Sequence, residues 1–191
     1  ILWAVVPLAP SILGVDLNIG ALYIIAAGAI GALSIIMAGW SSNNKYSLIG
    51  AFREVAVMLS FEIPMLTVML IPTIFTGSMG IGAITQAQDT WFVFLAPLAA
   101  VIFLIAAIAE LGRAPFDMGE AESELISGYN IEYSGMKFGM FYAGELLRAF
   151  TFGGFWAILF FGGYRFFGLE QVSAFLAVAI LFFKAFIGYW I

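Results

Sequence analysis

Long apolar runs with few charges fill most of this sequence and limit what it can fold into. An α-helix needs about 20 apolar residues to cross the hydrocarbon core of a bilayer. Five runs are long enough and a sixth is incomplete, at residues 20–40, 55–76, 91–109, 138–161, 172–191 and 1–13. The chain is 63% hydrophobic and 10% charged, whereas soluble domains carry about 25% charged residues. We therefore predict an all-α integral membrane protein, a single multi-span transmembrane helix bundle over residues 1–191.

The residue types that the chain lacks exclude several functions. It has no cysteine and no histidine, so its own side chains cannot build disulfides, haem ligands, iron–sulfur clusters or most zinc sites. A net charge of −5 without basic runs excludes nucleic acid as a partner. We assign no catalytic residue and no metal site to this chain, and any redox cofactor belongs to a partner. Both ends lie inside apolar runs without flanking charges, so we expect a longer parent chain.

The basic residues between the runs are unevenly distributed. If the runs cross the membrane alternately, Lys45, Arg53, Arg113 and Lys137 lie on one side, and Arg165 lies on the other. Positively charged loops favour the cytoplasmic side. We therefore place the four-residue side in the cytoplasm, or in the matrix for a mitochondrial protein.

The stretch AELGRAPFDMGEAESEL, residues 109–125, follows nineteen uncharged residues and holds five of the twelve acids. On a helix, Asp117, Glu120 and Glu124 share one face, whereas Glu122 points almost the opposite way. A solvated acidic loop would explain the charges alone. Apolar side chains interleave these acids, however, at Pro115, Phe116, Leu125, Ile126 and Tyr129. We therefore expect a functional loop over residues 111–135 that packs on a membrane or partner surface.

Three further acids, Glu62, Glu110 and Glu145, lie within or at the end of apolar runs. A charge at the bilayer centre costs about 2.5–3.5 kcal/mol, so such a group is paired or faces a hydrated cavity. One alternative is structural, with Glu110 paired to Arg113 and Glu145 to Arg148, each three residues later. Glu62 has no such neighbour. Because intramembrane acids usually mark proton or ion pathways, a line of carboxylates from the loop into the bundle predicts such a pathway.

Four motifs in this order resemble the heel subunit of respiratory complex I, the NADH:quinone oxidoreductase subunit 1 family. They are GWSSNNKYSLIGAFR (residues 39–53), LSFE (59–62), AELGRAPFDMGEAESELISGYNIEYSGMKF (109–138) and FYAGE (141–145). The match extends over nearly the whole chain, and the third motif is specific by itself.

The resemblance implies a quinone chamber closed by the loop at residues 111–135 and an acidic path leading from it into the membrane arm. By motif, the path contains Glu62, Glu110, Glu120, Glu122, Glu124 and Glu145. The chamber is shaped by Arg113, Phe116 and Asp117, and the passage for the quinone is lined by Phe138, Tyr142 and Ala143.

The resemblance also implies a setting. The chain is a non-redox subunit of the enzyme, quinone is the substrate, and flavin mononucleotide (FMN) and iron–sulfur clusters lie in partner subunits. Its partners are other membrane-arm and peripheral-arm subunits together with the lipid bilayer. The membrane is a bacterial plasma membrane or a mitochondrial inner membrane.

Several positions differ from the family pattern. Leu111-Gly112 replaces a more polar pair, and Met118-Gly119 replaces Leu-Pro or Leu-Ala. Ala29 stands where some bacterial members carry another glutamate of the path. Family members also have an N-terminal span, an amphipathic helix and a final span that this sequence lacks.

Three other functions are compatible with buried acids. The homologous membrane subunit of ion-pumping, membrane-bound hydrogenases is the closest alternative, although those relatives carry a Pro-Val-Asp-Asp type of sequence in place of PFDMGEAESEL. A free-standing proton or cation transporter would explain the buried acids but not the mixed apolar and acidic loop. A structural anchor predicts that the buried acids can be replaced without harm.

Overall fold

The computed structural model describes residues 2–10, 12–117, 128–166 and 173–190. Its helices, in chain order, are α1 (Gly20–Ser41), α2 (Lys45–Thr76), α3 (Ile81–Gln86), α4 (Phe92–Leu95), α5 (Pro97–Glu110), α6 (Met136–Phe161) and α7 (Ala174–Trp190). Short 3-10 turns lie at Leu2–Val5 and Gly128–Asn130. Over the described ranges there is no β-strand, only an isolated bridge between Ala9 and Ile12.

Three of these helices, α1, α2 and α6, are long and apolar enough to cross a membrane, and α5 and α7 are shorter apolar helices. At about 1.5 Å per residue, the 22 residues of α1 extend for about 33 Å, close to the thickness of the hydrocarbon core. Large apolar side chains such as Ile30, Met37 and Trp40 are mostly exposed on α1, at 65%, 70% and 74%. Apolar surface of this extent suits contact with lipid. The prediction of an all-α integral membrane protein is confirmed.

The longest helix, α2, begins ten residues before the apolar run that predicts it. Its start is stabilised by Asn44, whose Oδ1 accepts a hydrogen bond from the backbone N–H of Tyr46 at 3.0 Å. Polar residues thus extend the helix beyond the apolar span, and an apolar count alone cannot detect them.

The uncharged run at residues 91–109 is not one helix. It divides into α4 and α5 at Ala96, whose φ of −136° and ψ of 64° lie outside the helical region. Pro97 explains the break, because a proline disfavours the helical conformation of the residue before it. The proline leaves α5 with 14 residues.

The expectation of an incomplete membrane-spanning helix at residues 1–13 is wrong for the described part of that range. The backbone makes a 3-10 turn at Leu2–Val5 and then the bridge between Ala9 and Ile12. Pro7 and Pro10 lack the N–H groups that a continuing helix would need.

The chain divides into two compact units, the first containing residues 1–25, 66–104 and 149–191. In this unit the ring of Trp3 stacks on Phe150 and Phe182, with centroids 5.4 and 5.7 Å apart. Lys184 of α7 is only 8% exposed. Its Nζ donates to the backbone carbonyls of Phe161, Gly163 and Arg165 at 2.7, 2.9 and 2.6 Å. One buried ammonium group therefore binds carbonyls at and just beyond the end of α6, where the helix itself offers no donor.

The second unit contains residues 26–65 and 105–148. Its core consists of side chains from α1 and α2, namely Ala32, Ile35, Ala51, Val55 and Met58. Gly39 allows the two helices to approach closely, because a Cβ there would lie 2.5 Å from the Cβ of Ala51. The residues predicted for the acidic path and the quinone chamber that the structure describes all belong to this unit.

Candidate functional site

A cavity of about 250 Å³ lies inside the second unit. Its lining comes from α1, α2, α6 and the two ends of the loop at residues 111–135. The lining residues are Gly31, Ser34, Ile35, Glu54, Leu111, Gly112, Asp117, Tyr129, Met140, Phe141, Gly144, Glu145 and Arg148. Residues from four segments that are distant in the sequence thus surround one cavity.

The cavity is strongly charged. Three carboxylates, those of Glu54, Asp117 and Glu145, line it together with one guanidinium group, that of Arg148. Arg113 also exerts an electrostatic effect on Glu145. Glu145 and Arg148 are half-buried, Asp117 is exposed and Glu54 is buried. Negative groups therefore outnumber positive ones around the space, which suits a site that takes up protons or other cations.

Arg148 connects three helices at the edge of the cavity. Its Nη2 lies 3.3 Å from Oε1 of Glu110 at the end of α5, and its Nη1 lies 3.9 Å from Sδ of Met58 in α2. Gly31 of α1 faces the same guanidinium, since a Cβ there would lie 3.8 Å from its Cζ. The alternative in which Glu110 pairs with Arg113 is wrong, because the close approach of α6 supplies a different guanidinium.

Glu110 is the most deeply buried acid of the set, with 4% exposure. Its Oε1 contacts Arg148, whereas its Oε2 has no hydrogen-bond partner in the part of the chain that the structure describes. Glu62 lies near enough for its carboxylate to act electrostatically on that of Glu110. Arg148 thus links the buried Glu110 to the cavity, and Glu62 lies within electrostatic reach of Glu110.

The loop leaves α5 through a tight turn. Gly112 has a φ of +62°, the left-handed conformation that often ends helices, and the N–H of Arg113 donates to the carbonyl of Ile108 at 3.3 Å. The ring of Phe116 then packs edge-on against Phe61, with centroids 5.0 Å apart. Because Phe61 precedes Glu62 in α2, this contact holds the start of the loop beside the buried acids.

The loop returns beside the junction between α1 and α2. The hydroxyl of Tyr133 lies 2.6 Å from Oγ of Ser41, and Nδ2 of Asn44 donates to Oε1 of Glu132 at 2.9 Å. Oγ of Ser47 donates to the carbonyl of Tyr129 at 3.1 Å. The first and third sequence motifs therefore meet through polar contacts that neither motif reveals alone.

The remaining residues predicted for the site either lie outside the described ranges or do not line the cavity. Glu120, Glu122 and Glu124 lie outside the described residues. Phe138, Tyr142 and Ala143 are exposed on α6, and they are not among the residues that line the cavity. Their neighbours Met140, Phe141 and Gly144 line it instead.

Sequence reasoning missed Glu54. This residue is 8% exposed, in α2, and its side chain faces the cavity. It precedes Glu62 by eight residues, so the two acids share a side of the helix. This spacing could have identified Glu54 from the sequence. However, Glu54 lies just outside the apolar run and beside Arg53, where an acidic residue is not unusual. In the described ranges, no group of three or more acids is arranged to hold a metal ion.

The fold and the site together define a class of protein: a multi-pass helical membrane protein with buried and half-buried charged side chains around a partly open cavity. Sequence comparison then identifies the family. The chain belongs to the NADH dehydrogenase family, whose model matches residues 1–191. The family resemblance seen in the four motifs is confirmed.

Bacterial relatives match most of the chain. An NADH-quinone oxidoreductase subunit of Dehalococcoides mccartyi is 45% identical over 183 residues, which are 96% of this chain and 52% of that protein. The corresponding protein from Brevibacillus brevis is 48% identical over 162 residues, 84% of this chain and 48% of that protein. NADH-quinone oxidoreductase subunit 8 of Rhodothermus marinus is 45% identical over 167 residues, again 84% of this chain and 49% of that protein. The chain thus spans about half the length of these relatives.

Proposed function

We propose that this chain is part of the membrane subunit of a proton-translocating NADH:quinone oxidoreductase. In this role it forms part of a quinone chamber and the start of an acidic path that links quinone reduction to proton translocation. The names of its relatives support the enzyme complex. The arrangement of acids around the cavity supports the finer role.

The observation that carries the proposal is the buried Glu110, which pairs with the half-buried Arg148 of the charged cavity and lies within electrostatic reach of the half-buried Glu62. A single ion pair could be structural, but here a second acid, Glu62, acts electrostatically on Glu110, and Oε2 of Glu110 has no hydrogen-bond partner among the described residues. Burying unsatisfied carboxylate oxygens is costly. A function in which protons or charge enter this group accounts for that cost.

Quinone reduction consumes protons as well as electrons. This chain offers no cysteine or histidine to hold a redox centre, so electrons come from FMN and iron–sulfur clusters of partner subunits. Its own contribution is a chamber and an electrostatic response to the quinone's charge. The path runs from the loop acids Glu120, Glu122 and Glu124 toward Glu145, Glu110 and Glu62.

The residues at the start of the loop shape the quinone chamber. Arg113 offers a cation for a reduced, negatively charged quinone, and Asp117 lines the cavity. Phe116, packed on Phe61, offers an aromatic surface for the quinone ring. The exposed apolar and aromatic side chains Phe138 and Tyr142, with Ala143, form the passage by which a hydrophobic quinone arrives from the lipid.

The first test is replacement of Glu62 by glutamine in the full-length subunit of the assembled complex. Glutamine keeps the size of the side chain but cannot carry the charge. We expect normal assembly, because a half-buried carboxylate and its desolvation cost are removed. NADH:quinone turnover and proton uptake by reconstituted vesicles should fall together by about tenfold or more, the scale of a positioned proton carrier.

Asp16→Asn is the matched control, because Asp16 is an exposed carboxylate outside the second unit and should be dispensable. Unchanged turnover and proton uptake in Glu62→Gln would remove Glu62 from the path. The composition of the purified complex tests the broader assignment. Copurification with flavin, iron–sulfur clusters and NADH:quinone activity is expected, whereas a chain that purifies alone would favour a transporter.

A further inference from the structure

Glu54 is a buried acid of the cavity to which the four motifs assign no role. Its side chain projects from α2 into the space that also contacts Asp117, Glu145 and Arg148. At 8% exposure it is more buried than any of these three. A buried carboxylate is costly unless it is paired, hydrogen-bonded or solvated.

The loop is shaped around this carboxylate. A Cβ at Gly112 would lie 2.5 Å from Oε1 of Glu54 and 3.3 Å from its Oε2, so no larger residue fits while Glu54 keeps its position. Gly112 also has a φ of +62°, which favours glycine independently. The absence of a side chain at Gly112 therefore makes room for an acid that arrives from α2.

The cavity is large enough to hold water, through which protons can move. One water molecule needs a cavity volume of about 10–15 Å³, so a cavity of about 250 Å³ accommodates several water molecules. Glu54 and Gly112 lie on its lining together with Asp117 at the beginning of the loop and Glu145 on α6. A proton entering among three carboxylates and one guanidinium relieves repulsion between like charges. Arg148 connects these charged residues to Glu110, whose Oε2 has no hydrogen-bond partner among the described residues.

We propose that Glu54 is a proton-carrying residue of this cavity, placed between the loop and the pair formed by Glu110 and Arg148, with Gly112 as the position that admits it. A carboxylate oxygen of Glu54 takes a proton from water or a neighbouring acid on the loop side, forming an O–H bond. It then releases that proton toward Glu145, and no electrons are exchanged. This inference rests on the proposed proton path and adds a member to it.

The test uses Glu54→Gln in the full-length subunit of the assembled complex, measured beside Glu62→Gln. We expect assembled complex in which quinone turnover and proton uptake both fall about tenfold or more. Infrared difference spectra recorded on quinone reduction should lose a carboxyl C=O signal. Normal turnover, normal uptake and unchanged spectra in Glu54→Gln, with Glu62→Gln impaired, would overturn the role of Glu54 alone. Normal behaviour of both variants would overturn the proposed path itself.

Two further comparisons keep the test decisive if glutamine at residue 54 disturbs assembly. Glu54→Asp and Glu54→Asn have nearly the same shape, so assembly affects them equally. A proton carrier predicts that only Glu54→Asp retains coupled turnover, whereas equal activity of the two contradicts it. Gly112→Ala, which displaces the Glu54 carboxylate, should reproduce the loss seen in Glu54→Gln, and full activity there would contradict the assigned position.

Discussion

Removing the guanidinium of Arg148 provides the most direct test of the site's electrostatics. In Arg148→Met the length and much of the apolar packing remain, but Glu110 loses the partner that lies 3.3 Å from its Oε1. Both oxygens of a carboxylate with 4% exposure are then left without a hydrogen bond from the described residues. Breaking a buried ion pair by removing one partner typically costs about 3–5 kcal/mol.

The lower end of that range applies here, because the Arg148 side chain is 24% exposed and water partly screens the pair. A loss of about 3 kcal/mol lowers the Tm of a domain of 150–250 residues by about 6–12 °C. The measurement is thermal melting of the detergent-solubilised complex, made also on Glu110→Gln and on the double variant. Glutamine at residue 110 needs no counter-charge, so the double variant should recover most of the Tm lost in Arg148→Met.

The double-mutant cycle isolates the interaction between the two side chains. A coupling energy of about 2 kcal/mol or more is expected for a buried charged pair. If the two single shifts simply add, Arg148 does not stabilise Glu110, and the electrostatic connection between the cavity and the buried acids is lost.

Two other predictions concern Arg113 and Lys184. Arg113→Ala should raise the KM for quinone more than it lowers the amount of assembled complex, because in the proposed function Arg113 borders the quinone chamber, whereas Glu110 pairs with Arg148. Equal losses in both would contradict the proposed chamber role. Lys184→Met should destabilise the complex by about 2–4 kcal/mol and lower its Tm, because three backbone carbonyls lose a charged hydrogen-bond donor. An unchanged Tm would show that water replaces the ammonium group without cost.

The apolar runs alone determine the class of this protein. In lipid each backbone polar group needs an internal partner, so long apolar runs become helices whatever their neighbours are. That local rule predicts α1, α2 and α6 well. It fails at Ala96, where a single proline outweighs hydrophobicity, and at residues 1–13, where two prolines lie close together.

The acids of the site are visible in the sequence because charge is conspicuous in an apolar chain. Glu62, Glu110 and Glu145 stand out for this reason, and so does the acidic loop. Which acid meets which base is not visible. Neighbours three residues apart suggest Glu110 with Arg113, yet the guanidinium that reaches Glu110 comes from Arg148, which lies 38 positions later.

Glu54 shows that the tertiary structure decides which side chains line the cavity. α2 is apolar around most of its circumference, so its sequence does not indicate which side faces the interior and which faces lipid. Only the approach of the loop, with a glycine at residue 112, turns Glu54 into part of a cavity. The sequence determines that the chain spans a membrane and carries costly charges, because both are properties of single segments. The partners of those charges depend on contacts between segments, and packing alone decides them.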